Sequence, residues 1–165
     1  MNVVPIGIKG KAVDVTLTSV STSEIAAGDI ITNDKVAINE IMAGTGQSVR
    51  LKRVQLYIYD SAGSPVSTDM DLIIFTNLAS TTLGLSSNDV FVINANNLGK
   101  CLQPIPFTSW DTVDTNIEMG SVAVDMIITP DQSVSNSLSF VLVCRETVTI
   151  TETHTIIARF EAEQL

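Results

Sequence analysis

Histidine occurs once in this 165-residue chain, as His154. A Ser-His-acid relay would have to run through it, and such a relay needs an imidazole oriented by a buried carboxylate. His154 shares the parity of Glu152 and Ile156 on an alternating segment near the C-terminus, so it reads as a packing residue at a strand end. One histidine also excludes metal sites assembled from several. Oxygen ligands are more plentiful. Asp111, Asp114, Asn116 and Glu118 follow Trp110, and Asp69 and Asp71 share a parity. Such clusters can hold Ca²⁺, but the first keeps neither the spacing nor the glycine of an EF-hand loop, and a solvated loop is the expectation. Glycosidase chemistry needs two carboxyls flanking a cleft lined with aromatics, and aromatics are only 5% of the chain. GIKGK, residues 7–11, lacks the spacing and the following helix of a phosphate loop. Cys101 and Cys144 form no CxxC and read as reduced, packed thiols. The expectation is therefore no enzyme, no catalytic residue, no cofactor, no metal and no small-molecule substrate.

What remains is contact chemistry. Charged residues are 16% of the chain, below the roughly 25% of ordinary domains. The surface must then be rich in hydroxyls and amides, which suits hydrogen-bonded packing against other protein. A net charge of −9 repels phosphate backbones and argues against a nucleic-acid partner. Arg50, Lys52 and Arg53 are a local exception, read as a solvated strand edge. Trp110, Tyr57 and Tyr59 are the residues on which a sugar could stack, with the two tyrosines on one parity. The N-terminus has no signal-peptide pattern and no apolar run reaches 18 residues, so we expect no membrane partner and a product that folds in a cytoplasm.

The elements that would position these residues are strands. Apolar residues, 45% of the chain, suffice for one core, and no linker divides residues 1–165. KAVDVTLTSV alternates with one wet face. Residues 29–42 hold two short apolar runs split by Asn33 and Asp34, as in a hairpin or a loop plus a strand. VRLKRVQLYIYD has Val49 and Leu51 on one parity and Val54, Leu56 and Ile58 on the other; this phase slip predicts a bulge near Lys52 and Arg53. Leu72, Ile73, Ile74 and Phe75 run continuously apolar, as in a strand buried on both faces. Behind them TNLASTTLGLSSND carries no charge until Asp89, and Val90 to Ile93 reads as a short strand. Pro104 and Pro106 make residues 102–107 an edge strand or an extended connection. Residues 120–129, 138–145 and 154–162 alternate or run apolar as strands. Eight to ten strands without a full-length helix predict one all-β domain, a sandwich or a barrel with at most short helical turns, of which we take the single-domain antiparallel sandwich.

LKRVQLYIYDSAGSPVSTDMDLIIFTN, then STTLGLSSNDVFVINANN and LGKCLQPIPFTSW, resembles a family of tailed-bacteriophage virion decoration or cement proteins. The resemblance rests on an L-x-x-V-x-L strand leading to an aspartate and a glycine turn, an apolar strand ending in Phe, and a Thr-Thr-x-Gly loop. It runs from Val49 to the C-terminus. It departs at ETVTITET, residues 146–153, where the family often has a Thr-Pro-Thr-Tyr segment. The resemblance implies a jelly-roll-like body that decorates or cements a capsid, commonly as a trimer around symmetry axes. Its partner would be the major capsid protein, and its place the capsid surface of a virion assembled in the host cytoplasm. Residues 1–45 match less and read as containing an arm toward a neighbouring subunit. Interface candidates are Val3, Val4, Pro5 and Ile6 in that arm, Thr81, Thr82 and Leu83 in the uncharged loop, and Trp110. The alternative is a carbohydrate- or receptor-binding sandwich of a phage tail or fibre, stacking on Trp110, Tyr57 and Tyr59.

Overall fold

The structure is a computed structural model and describes residues 10–17, 24–39, 41, 47–76, 83–93, 98–129 and 138–165. Its strands are β1 (Gly10–Leu17), β2 (Glu24–Ile25), β3 (Val36–Ile38), β4 (Val49–Asp60), β5 (Met70–Phe75), β6 (Ile105–Phe107), β7 (Asp111–Asp114), β8 (Ile117–Ile128), β9 (Leu138–Cys144), β10 (Val148–Thr149) and β11 (His154–Gln164). A single 3-10 turn, Leu98–Lys100, interrupts them. One sheet runs β1-β11-β4-β8-β7 and faces a second, β3-β9-β5-β6; β2 and β10 pair separately. Every pairing is antiparallel.

The order has a simple generator. With the two-residue β2 and β10 and the short β7 set aside, first pairs with last: β1 with β11, β3 with β9, β4 with β8, β5 with β6. One long hairpin, rolled so that β11 also meets β4 and β9 also meets β5, yields both sheets. That is the wiring of a jelly roll, and the fold is the expected all-β sandwich.

Alternation decides what goes between the sheets. Val54, Leu56 and Ile58 of β4, Ile156, Ala158 and Phe160 of β11, Leu72 and Ile74 of β5, and Leu138, Phe140 and Leu142 of β9 are all buried. Phe140 and Phe160 meet edge to face across the interior, with centroids 5.2 Å apart. Period-2 side-chain geometry leaves Tyr57, Tyr59, Arg53, Arg159 and Asp14 on the opposite, outward face of the first sheet.

The bulge lies where the phase slip places it. The β4–β8 and β11–β4 registers both jump at Lys52, between Leu51 and Arg53 on β4. Two residues of β8, Val124 and Asp125, lie opposite that one, and Asp125 takes a φ of 53°. Aspartate tolerates this left-handed geometry better than most residues. Its carboxylate accepts from Arg50 Nε at 2.6 Å and Nη2 at 2.9 Å, with Lys52 Nζ at 3.4 Å. The basic cluster is thus no strand edge: β4 is central, and the charges hold the bulge.

Of the two alternatives for the apolar runs of residues 29–42, a loop plus a strand holds and a hairpin does not. Ile30 bridges Val143 and Ile31 N–H donates to Leu142, then β3 resumes against Phe140 to Leu138, so both lie along one side of β9. Residues 90–93 are not a strand; Val90 makes only an isolated bridge to Asp29.

Candidate contact surface

β5 and β9 are buried on both faces. Leu72 and Ile74 enter the main core, while Ile73 and Phe75 point to the far side of their sheet. There, with Val141, Val143 and Ile30, they form a second cluster, against which Leu83, Leu85, Phe91 and Cys101 pack. The described residues 83–93 of the β5–β6 connection are therefore a cover. It folds back over the outer face of the second sheet and buries what that sheet would otherwise expose.

Local hydrogen bonds pin the cover. Leu83 N–H donates to Asp34 Oδ1 at 2.8 Å, where Asp34 has a φ of 59°. Ser86 N–H donates to Asp89 Oδ2 at 2.7 Å, closing a turn through Asn88, whose φ is 73°. Asn88 N–H then donates to Ile30, Ile30 N–H to Asp89, and Phe91 N–H to Gly28, all within 3.0 Å. Leu102 N–H donates to Ile74 and Thr76 N–H to Lys100, fixing the return. Residues 88–91 thus lie as an added edge beside residues 28–30. Phe91 points in; Val90 and Val92 point out and are 64% and 61% exposed, with Leu98 at 65%. Exposed valines two apart on a pinned segment form a small apolar surface with Asp89 at one end.

Of the expected interface residues, Val3, Val4, Pro5, Ile6, Thr81 and Thr82 lie outside the described residues. Leu83 is half-buried beneath the cover. Trp110 is half-buried against Phe107, with ring centroids 6.2 Å apart, and lies over Gly120 on the inner side of the first sheet. The tyrosines lie on the other side. Tyr57 is flanked by Met119 and Ile157, and Tyr59 by Ile117 and Thr155. The structure brings Tyr57 and Tyr59 together and separates Trp110 from both. Val90 and Val92 were hidden as surface residues because residues 90–93 run continuously apolar and read as a strand.

His154 Nδ1 lies 2.8 Å from Thr151 Oγ1, and its Nε2 is buried with no partner. Asp60, opposite His154, accepts from the N–H groups of Ala62 and Ser64 and shapes the turn after β4. With Thr153 they hold its pKa below the usual carboxylate range. Burial pushes the Cys144 thiol up to about 12, so it stays protonated and inert. Asp111 and Asp114 are exposed on β7, and Glu118 accepts from Thr112 Oγ1 at 2.8 Å. No group of three or more His, Cys, Asp or Glu is placed to hold a metal among the described residues. Nor is any helix there long and apolar enough to cross a membrane.

No family model matches the chain, and no curated protein does. The resemblance to tailed-phage decoration proteins therefore gains no support from either comparison. Among solved structures it is similar to a chain from Desmodium yellow mottle tymovirus, with a TM-score of 0.35 and 14% identity over 100% of this chain and 94% of that one. A likeness that distant carries no argument about function.

Proposed function

We propose that the chain is a structural virion protein that works by contact and does not turn over a substrate. Its finer form is a decoration or cement protein on a bacteriophage capsid, a homotrimer whose partner is the major capsid protein. The observation that carries this reading is the pinned cover. Its inner face satisfies the chain's own second cluster, and its outer face still presents Val90 and Val92. A segment so fixed loses little conformational freedom on docking, which favours a permanent, static contact. The charge of −9 keeps free copies soluble before assembly.

Mass spectrometry of purified virions, followed by co-sedimentation of the chain with shells stripped of it, tests the reading. We expect the chain in the virion, wild type in the shell pellet, and a Val90→Ser/Val92→Ser variant in the supernatant with its Tm unchanged. Wild type left in the supernatant would count decisively against shell binding.

A carbohydrate- or receptor-binding module remains the second reading, favoured by Tyr57 and Tyr59 side by side on the uncovered face of the first sheet. Trp110 drops out of it, being turned to the inner side. Glycan binding lost in Tyr59→Ala would support it, and an array without hits would remove it.

A further inference from the structure

Sheet edges expose unpaired backbone groups, and proteins blunt them with short strands, bulges, charges or proline. Among the described residues the two larger sheets have four edges, and three of them are blunted. β7 has four residues, carries Asp111 and Asp114, and its register is broken between Thr112 and Asp114. β6 has three residues, one of them Pro106. β3 has three residues, and the turn before it bends through Asp34. The fourth edge, β1, has eight residues, an unbroken register against β11 and no proline. Its two charges are already committed. Asp14 is held by Arg159, with Nε at 2.7 Å and Nη2 at 2.8 Å, and Lys11 has a partner within its own chain. Beside this edge runs a groove of about 340 Å³ lined by Val13, Asp14, Val15 and Thr16 and by Ala37 and Asn39 of the facing sheet.

We propose that β1 is an association edge and that its occupant is β1 of a second copy, antiparallel across a two-fold axis. Physical constraints select the register. Pairing all eight residues puts Val13 opposite Asp14 and sets the apolar face of one copy against the wet face of the other. Centring the axis on Asp14 brings two carboxylates face to face. Centring it on Val13 pairs seven of the eight residues, from Gly10 opposite Thr16 to Thr16 opposite Gly10. In that register Ala12 lies opposite Asp14, no like charges face each other, and the inward side chains of the added strand enter the groove. Like-handed faces match, and the first sheets of both copies become one. The interface is isologous and forms between free copies, distinct from the shell contact at Val90 and Val92 and from the three-fold contact of the proposed capsid-bound trimer, and it stands or falls independently of that reading. One strand pair is a small interface, so the dimer is weak and dependent on concentration.

Sedimentation of the wild-type chain across a wide concentration range, with cysteine cross-linking in a Cys101→Ser background, tests it. Val13 faces itself across the axis at a Cα separation of about 4.5–5.5 Å, within disulfide reach. Val15 is then about 14 Å from its counterpart. We expect reversible dimers, a disulfide-linked dimer with Val13→Cys and none with Val15→Cys, and a monomer with Val13→Lys. A wild-type monomer at every concentration, or linkage through Val15→Cys in place of Val13→Cys, would overturn the proposal. So would a monomer whose β1 edge is protected only when another protein supplies the strand.

Discussion

At the scale of single residues, chemistry that looks functional in the sequence is largely architectural. Asp125 bends a strand, Asp60 shapes a turn, and Trp110 closes the sandwich beside Phe107. Gly120 shows how tightly that last corner is built. It is buried on β8, and a Cβ there would come 2.8 Å from Phe107 Cδ1 and 3.3 Å from Trp110 Cζ3. The Phe107 ring is fully buried, so it cannot swing out into solvent without exposing itself. Gly120→Ala should therefore cost about 1–3 kcal/mol through overpacking. Chemical denaturation of the variant, with Trp110 fluorescence as a local probe, measures that cost. A neutral effect would mean that the ring shifts freely.

At the scale of elements, legibility followed alternation. β1, β4, β8 and β11 each have one wet face, and their burial patterns match the period of their sequences. The bulge at Lys52 was legible because a slipped phase has few other physical causes. Pairing was harder. β2 and β10 are two residues each, too short for any period. β9 is buried throughout, so its apolar run could not show which face meets the main core. The cover was illegible for a related reason: nothing in TNLASTTLGLSSND says that its leucines turn back onto Ile73 and Phe75. Because the cover rests on a separate cluster, it should open separately from the body. Phe91→Ala removes its largest anchor, half-buried, and should cost about 1–3 kcal/mol, less than a fully buried ring. Hydrogen exchange should then quicken at Ile30, Asn88 and Phe91 and stay slow at Leu56 and Ile58. Uniform acceleration would show that cover and body unfold as one.

At the scale of the whole molecule, the fold carries its charge in two ways. Asp14, Asp60 and Asp125 are tied to Arg159, to turn amides and to Arg50, and each pKa lies below its ordinary value. A depressed carboxylate stabilises the fold above its unfolded pKa, and that contribution is lost as pH falls through the folded value. Cys144 works in the opposite direction. Burial raises its pKa to about 12, so the fold favours the protonated thiol and loses stability as pH climbs from the ordinary thiol value toward 12. Within that window the slope from this one group approaches about 1.4 kcal/mol per pH unit. Tm measured from acid to alkali should show both limbs. Asp60→Asn should flatten the acid limb because the amide does not titrate, and should also lower Tm at neutral pH, because its one oxygen can replace Oδ1 toward Ala62 or Oδ2 toward Ser64 but not both. Cys144→Ala should flatten the alkaline limb and leave the acid one as it was. Variants that shift Tm equally at every pH would mean that these groups act through packing and not through titration.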